Sequence, residues 1–120
     1  MEIKVNDYVR TNKGYITKIK KIIGIKEQSN KPYLNFNNCC VLVKNEDDCL
    51  GSKGKIIKSS SNIGKLLKVG DFIDGMRIIG IEDTTIHTLG FCFIDFEDVE
   101  DLVTSIVTKE MFEQIEYKIN

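Results

Sequence analysis

Two charge clusters contain the residues best suited to chemistry. Six cations, Arg10, Lys13, Lys18, Lys20, Lys21 and Lys26, interleave with Tyr8 and Tyr15 near the start of the chain. Five carboxylates, Asp95, Glu97, Asp98, Glu100 and Asp101, crowd into one short run in the second half. Cations beside aromatic rings suit an anionic ligand that also carries a ring, because the cation meets phosphate while the ring offers a stacking face. The candidate ligand-binding residues are therefore Tyr8, Arg10, Tyr15, Lys18, Lys20 and Lys21, with Lys18 and Lys20 on one strand face and Lys21 on the other. A solvated hydrophilic strand face has the same composition, and both readings stand. For the acidic run, oxygen ligands for a hard cation, a grip on a basic partner and a plain solvated loop are the alternatives. The run lacks the glycine and the ligand spacing of a calcium loop, which argues against the first.

Signatures of catalysis are missing. There is no phosphate-binding loop, G-x-S-x-G elbow, H-E-x-x-H pair or dinucleotide fingerprint. The single histidine, His87, follows Ile86 on an expected strand, with no obvious serine or cysteine partner. Cys39, Cys40, Cys49 and Cys92 show no C-x-x-C spacing, and structural zinc sites normally use short paired spacings. Cys39, Cys40 and Cys92 sit in apolar runs and read as small buried hydrophobes, Cys49 as an exposed thiol. The expectation is a protein without enzymatic activity, metal or cofactor.

With 42% hydrophobic and 29% charged residues, the 120-residue chain is neither disordered nor membrane-embedded. Apolar runs such as Cys39-Cys40-Val41-Leu42-Val43 are too short to cross a bilayer, and the first residues lack the apolar stretch of a signal peptide. The expected location is the cytoplasm of a bacterial host. The formal net charge of −1 hides an asymmetry: residues 1–60 carry twelve Lys/Arg against six Asp/Glu, and residues 61–120 carry five against twelve. The halves are thus +6 and −7, which predicts oppositely charged faces or halves that attract each other. Fifteen Lys against two Arg, with eighteen Ile and nine Asn, is the bias of AT-rich codons and points to a low-GC bacterium or its viruses.

The elements that must position these clusters come in related pairs. Ile3-Lys4-Val5-Asn6-Asp7-Tyr8-Val9 returns as Leu67-Lys68-Val69-Gly70-Asp71-Phe72-Ile73, each position identical or similar except Asn6 against Gly70. Ile22-Ile23-Gly24-Ile25 recurs as Ile78-Ile79-Gly80-Ile81. The expected division is a basic half-unit, 1–58, and an acidic one, 59–120. In the first, a hairpin turning at Asn12-Lys13-Gly14 leads through Tyr15, Ile19, Ile23 and Ile25, of one parity, into a turn at Gln28–Pro32. Strands at Tyr33–Phe36 and Cys40–Val43 complete an expected meander. A short strand at Lys55-Ile56-Ile57 and a helical turn at Asn62–Leu67 lead onward. In the second, Asp74-Gly75 marks a two-residue hairpin loop. Strands follow at Thr85–Thr88 and Phe91–Ile94, the latter apolar on both faces and so expected to be central. Thr108 caps a helix near 108–115 that buries Met111, Phe112 and Ile115, and Glu116–Ile119 alternates like an edge strand. The fold class is mainly β: two tandem related SH3-like small barrels or one merged antiparallel sheet, with a short C-terminal helix.

The opening Lys4-Val5-Asn6-Asp7-Tyr8-Val9-Arg10-Thr11, followed by Gly14-Tyr15-Ile16, resembles the first hairpin of SH3-like or KOW-type barrels. With Lys58-Ser59-Ser60-Ser61-Asn62-Ile63, Lys68-Val69-Gly70-Asp71 and Ile106-Val107-Thr108-Lys109-Glu110-Met111-Phe112, the pattern resembles small phage and prophage proteins of low-GC Gram-positive bacteria. The resemblance spans most of the chain, rests on turns and strands, and carries over no site residues. It implies the fold and a phage origin; together with the missing catalytic set and the charge split, it leads to the expectation of a non-enzymatic binding protein that inhibits or sequesters a host component, either a defence protein or its nucleotide signal. The alternative is a KOW/SH3-like nucleic-acid-binding module acting through Lys18–Lys21. The expected partners are thus a host protein, a nucleotide-type ligand or nucleic acid, with no membrane, and a homo-oligomer is open through the Glu116–Ile119 edge.

Overall fold

Two carboxylates close the same turn in the two halves of the chain. The computed structural model describes residues 2–24, 41–44, 49–90, 92–117 and 119. Lys4 N donates to Asp7 Oδ2 at 3.0 Å while Asp7 N donates back to Lys4 O at 3.0 Å. Sixty-four positions on, Lys68 N donates to Asp71 Oδ2 at 2.8 Å and Asp71 N to Lys68 O at 3.1 Å. The residue before each aspartate has positive φ, 75° at Asn6 and 98° at Gly70. This explains why the heptads differ here: Asn and Gly are the residues that tolerate the left-handed region best. The turn then hands each chain to a partner isoleucine. Asn6 N donates to Ile19 O and Ile19 N to Asp7 O, at 2.6 and 2.8 Å, and Gly70 N donates to Ile78 O and Ile78 N to Asp71 O, at 3.0 and 2.8 Å. Ile19 and Ile78 are both fully buried. The counterpart of Ile78 is therefore Ile19, not the Ile22 that the expected Ile-Ile-Gly-Ile match would pair with it.

The chain divides into Met1–Ser61 and Asn62–Asn120. A boundary after residue 58 would cut a strand, because β5 runs Ile56–Ser60. In the first unit, β1 (Tyr8–Thr11) lies between β2 (Ile16–Lys18) and β5, antiparallel to both, so its Val9, Arg10 and Thr11 are all buried. Ile3, Val9, Ile19, Leu42, Leu50 and Ile56 form its core, with Ile22 packed against them. The expected meander fails at β3 (Lys21–Gly24) and β4 (Val41–Lys44), which pair in parallel. Parallel neighbours cannot be joined by a hairpin and need a long crossover. The Gln28–Pro32 turn, the Tyr33–Phe36 strand, Ile25, Lys26, Cys39 and Cys40 lie outside the described residues.

In the second unit, β6 (Phe72–Ile73), β7 (Met76–Glu82), β8 (Thr85–Thr88) and β9 (Phe93–Asp95) form a meander, and β10 (Ile106–Val107) returns beside β6. Asp74 and Gly75 both take positive φ, 48° and 80°, as a two-residue loop between twisted strands requires. The expected turn before the heptad is a 3₁₀ turn, Ile63–Leu66, whose Gly64 N donates to the Asn62 side chain. The helices are α1 (Val99–Leu102) and α2 (Lys109–Ile115), and α2 is capped by Thr108, whose Oγ1 accepts from Met111 N. The chain is mainly β, in separate open sheets rather than closed barrels or one merged sheet.

Three expectations in this unit are corrected. β9 is an edge strand and Phe93 is 67% exposed, because Asp95 and the following 3₁₀ turn end the sheet there. On α2 the Phe112 ring meets Phe72 at 4.7 Å, but Phe112 is still 38% exposed and Ile115 75% exposed, so the helix buries no residue fully and is held by that ring contact together with polar ties to Asp71 and Lys68 rather than by an apolar stripe. Glu116, Tyr117 and Ile119 join no strand.

The first and last strands of each unit are stapled by one more shared device. Asn12 N donates to Lys55 O at 2.9 Å and Lys55 N to Asn12 Oδ1 at 3.0 Å. Likewise Asp74 N donates to Ser105 O at 3.0 Å and Ser105 N to Asp74 Oδ1 at 2.8 Å. The same Oδ1 accepts from Thr104 N and Thr104 Oγ1. Hydrogen bonds from Thr104 and Ser105, the Thr104 hydroxyl foremost, hold the Asp74 carboxyl below its ordinary value of 3.8.

Two stability measurements follow. Asp71 is fully buried and also accepts from Lys109 N at 2.8 Å. Asp71→Ala therefore strands backbone donors and should cost about 2–4 kcal/mol in urea unfolding, whereas Asp7→Ala, at a half-buried site, should cost less. A lowered carboxyl pKa stabilises the fold above the unfolded-state value and loses that contribution as pH falls through the folded value. Acid titration of wild type should therefore lose more stability below about pH 4 than Asp74→Asn does, as read by circular dichroism.

Candidate functional site

Five of the six candidate ligand residues stay at the surface, and Arg10 does not. Arg10 is 2% exposed because β1 is covered on both sides. Its place on the basic cluster is a correction, since strand parity alone cannot reveal that a strand is central. Tyr8 and Lys18 face each other across β1 and β2, with Lys18 Nζ 5.5 Å from the Tyr8 ring centre. Lys20 and Lys21 are exposed beyond the end of β2. Tyr15 lies at the other end of the hairpin, at the turn, so the two tyrosines do not build one site.

What Tyr15 meets instead is a turn that the sequence pattern did not connect with it. Lys53 Nζ lies 4.4 Å from the Tyr15 ring centre. Thr11, fully buried, organises this junction: its Oγ1 donates to Lys53 O at 2.6 Å and accepts from Lys13 N and Tyr15 N at 3.3 and 3.2 Å. Lys13 Nζ donates to Ser52 O at 3.2 Å, and the Asn12–Lys55 staple fixes the other side. Lys13, Lys53, Lys55 and Tyr15 are thus gathered on two interlocked turns, 12–15 and 51–55. Gly54 makes the interlock possible. Its φ is +102°, and a Cβ there would lie 2.3 Å from Asn12 Oδ1 and 3.1 Å from Lys13 Cγ. The one legible signal was the Gly51/Gly54 spacing around Lys53, which marks a tight turn but not its neighbour.

In the second unit the acidic residues Asp95, Glu97, Asp98, Glu100 and Asp101 are all exposed, along the end of β9, a 3₁₀ turn (Phe96–Asp98) and α1. Buried Val99 and half-buried Phe96 anchor the run, and Asp95 Oδ1 accepts from Thr85 Oγ1 at 3.0 Å. Gly64 permits a close backbone approach, since a Cβ there would sit 2.4 Å from Phe96 O. Among the described residues, no three His, Cys, Asp or Glu side chains converge on a metal position. A shallow pocket of about 240 Å³ opens beside the run, lined by Asn62, Lys65, Thr84, Phe96 and Glu97. His87 lies 4.0 Å from the Glu82 carboxylate and edge-on to Phe93, so it is placed by structural neighbours. Cys92 is exposed and Cys49 half-buried, the reverse of their expected order.

No family model, curated protein or solved structure matches the chain. No helix among the described residues is long and apolar enough to cross a membrane.

The tip is testable through its glycine. Gly54→Ala forces both an unfavourable φ and a clash with Asn12, and should lower stability by about 1–3 kcal/mol in urea unfolding. The amide resonances of Tyr15 and Lys55 should shift together, because one interlock holds both.

Proposed function

We propose that the protein is a non-catalytic binding protein of the phage or prophage type, and that the tip of its first unit takes an anionic, nucleotide-like ligand. In this reading it acts stoichiometrically, sequestering a nucleotide signal or masking the host protein that carries one. The observation that supports it is Lys53 Nζ over the Tyr15 ring on a junction held by buried Thr11, with Lys13 and Lys55 carried on the same two turns. A rigid cluster loses little side-chain freedom when a phosphate arrives, which raises affinity without adding contacts. The ring supplies the face on which a base stacks. Tyr8 with Lys18 forms a second, smaller pair at the far end of the hairpin.

Calorimetric titration with nucleoside di- and triphosphates, at low and raised salt, tests this. Binding should weaken as salt rises, and Lys53→Ala should reduce affinity by about three- to tenfold through loss of one exposed cation next to the ring. Lys18→Ala should have the smaller effect. A short single-stranded RNA bound in preference to free nucleotides, with a steep salt dependence, would replace this reading by the nucleic-acid-binding one. Binding of neither ligand at low salt would sink both.

A further inference from the structure

One edge of the second unit's sheet is open. β9 stands last in the strand order, with β8 on one side and no strand of the described residues on the other. Its register with β8 settles which backbone groups face outward. Phe96 N donates to Thr84 O and Thr88 N to Cys92 O, at 2.9 and 3.0 Å, and between them His87 lies opposite Phe93, Ile86 opposite Ile94 and Thr85 opposite Asp95. Bonded and non-bonded pairs alternate along an antiparallel ladder. Ile94 therefore bonds to β8, whereas the N–H groups of Phe93 and Asp95 and the C=O of Phe93 point away from it. Asp95 is the N-cap of the following 3₁₀ turn, which takes up its C=O. Three outward groups on alternate residues are what an added strand pairs with.

The side chains on this edge define what such a strand must carry. Phe93 and Asp95 share one face of the sheet: the Phe93 ring meets His87 edge-on at 4.7 Å, and Asp95 Oδ1 accepts from Thr85 Oγ1. Phe93 is nonetheless 67% exposed, and Asp95 is exposed beside it. Ile94 points to the other face, next to buried Ile86. An added strand sets one residue beside each of these. A cation matches Asp95, an apolar residue matches Ile94, and an aromatic residue matches the Phe93 ring. Charge then selects the kind of partner. Exposed Glu97 and Asp98 extend the negative end beyond Asp95, which repels nucleic acid and acidic lipid surfaces. A second copy fits no better, because β9 paired with itself about Ile94 sets each Phe93 against an Asp95 and brings two acidic runs together.

We infer that β9 accepts a basic, extended segment of a partner protein as an added antiparallel strand, read along that segment as Lys or Arg, then apolar, then aromatic. The cation comes first because Asp95 follows Phe93 and the added strand runs the other way. Basic residues ahead of the triplet then lie toward Glu97 and Asp98. The contact does not depend on the ligand reading above, because it uses no residue of the first unit.

The probe is the acetylated, amidated hexapeptide Lys-Arg-Lys-Val-Phe-Thr, titrated up to about 1 mM into the isotope-labelled full chain and followed by NMR. The amide resonances of Phe93 and Asp95 should shift saturably, and their hydrogen exchange should slow as they gain partners. N-methylation of the peptide's phenylalanine removes the N–H that donates to Phe93 O and should abolish these shifts. N-methylation of its valine, whose N–H points away from β9, should change the affinity by less than about twofold. Asp95→Lys should weaken binding about threefold, and a peptide with glutamate in place of its third residue should recover the loss. Asp95 is exposed, so circular dichroism of that variant should match wild type. A chain whose Phe93 and Asp95 amides stay unmoved at the highest concentration overturns the proposal, as does equal damage from the two N-methylations. Shifts confined to the acidic run and lost at about 0.15 M salt would show charge adsorption alone and would also overturn it.

Discussion

Everything in this chain hangs on a short turn closed by an aspartate. The carboxylates of Asp7 and Asp71 hold the backbone N–H of Lys4 and Lys68, and each turn passes its outgoing strand to a buried isoleucine. That handover sets where the first strand of the unit runs, hence which residues it buries, hence where the hairpin tip and the last strand meet. At Asp71 the constraint is tighter, because its other oxygen also takes the first N–H of α2. One fully buried carboxylate thereby fixes both the start of the sheet and the C-terminal helix. A buried anion is tolerable here because the donors around it replace water.

How far this was readable from sequence follows from the range of each interaction. The heptads were legible because a turn and its strand are local. The Asp74-Gly75 loop and the Thr108 cap were legible for the same reason. The second shared device was not: Asn12 and Asp74 fall at different offsets from their heptads, since β1 is longer than β6, and no alignment without gaps sets them together. The tip was half visible. Tyr15 and Lys13 stood out, but Lys53 and Lys55 join them through a contact some forty residues long in sequence. Arg10 misled because charge suggests a surface, whereas β5 on one side and β2 on the other turned β1 into a central strand. Phe93 misled in the opposite sense: an apolar run reads as central, yet the chain leaves the sheet right after it.

The two units share the aspartate turn but differ in sheet and in charge. The first carries the lysines and the long hairpin, the second the exposed carboxylates on β9 and α1. The longer first hairpin, between Val9 and Ile19, supplies Lys13 and Tyr15 to the tip, and the 51–55 turn supplies Lys53 and Lys55. In the second unit the corresponding stretch shrinks to a two-residue loop, and its aspartate serves only to bind Thr104 and Ser105.

The return of β5 to β1 and of β10 to β6 has a kinetic side. In each unit the strand that completes the sheet is the last one synthesised, so pairing of the first strand on that flank must wait for it. The aspartate turn and hairpin can form early from nearby residues, and they hold an unfilled flank open in the meantime. Closure then spans nearly the whole unit, the kind of distant pairing that slows folding.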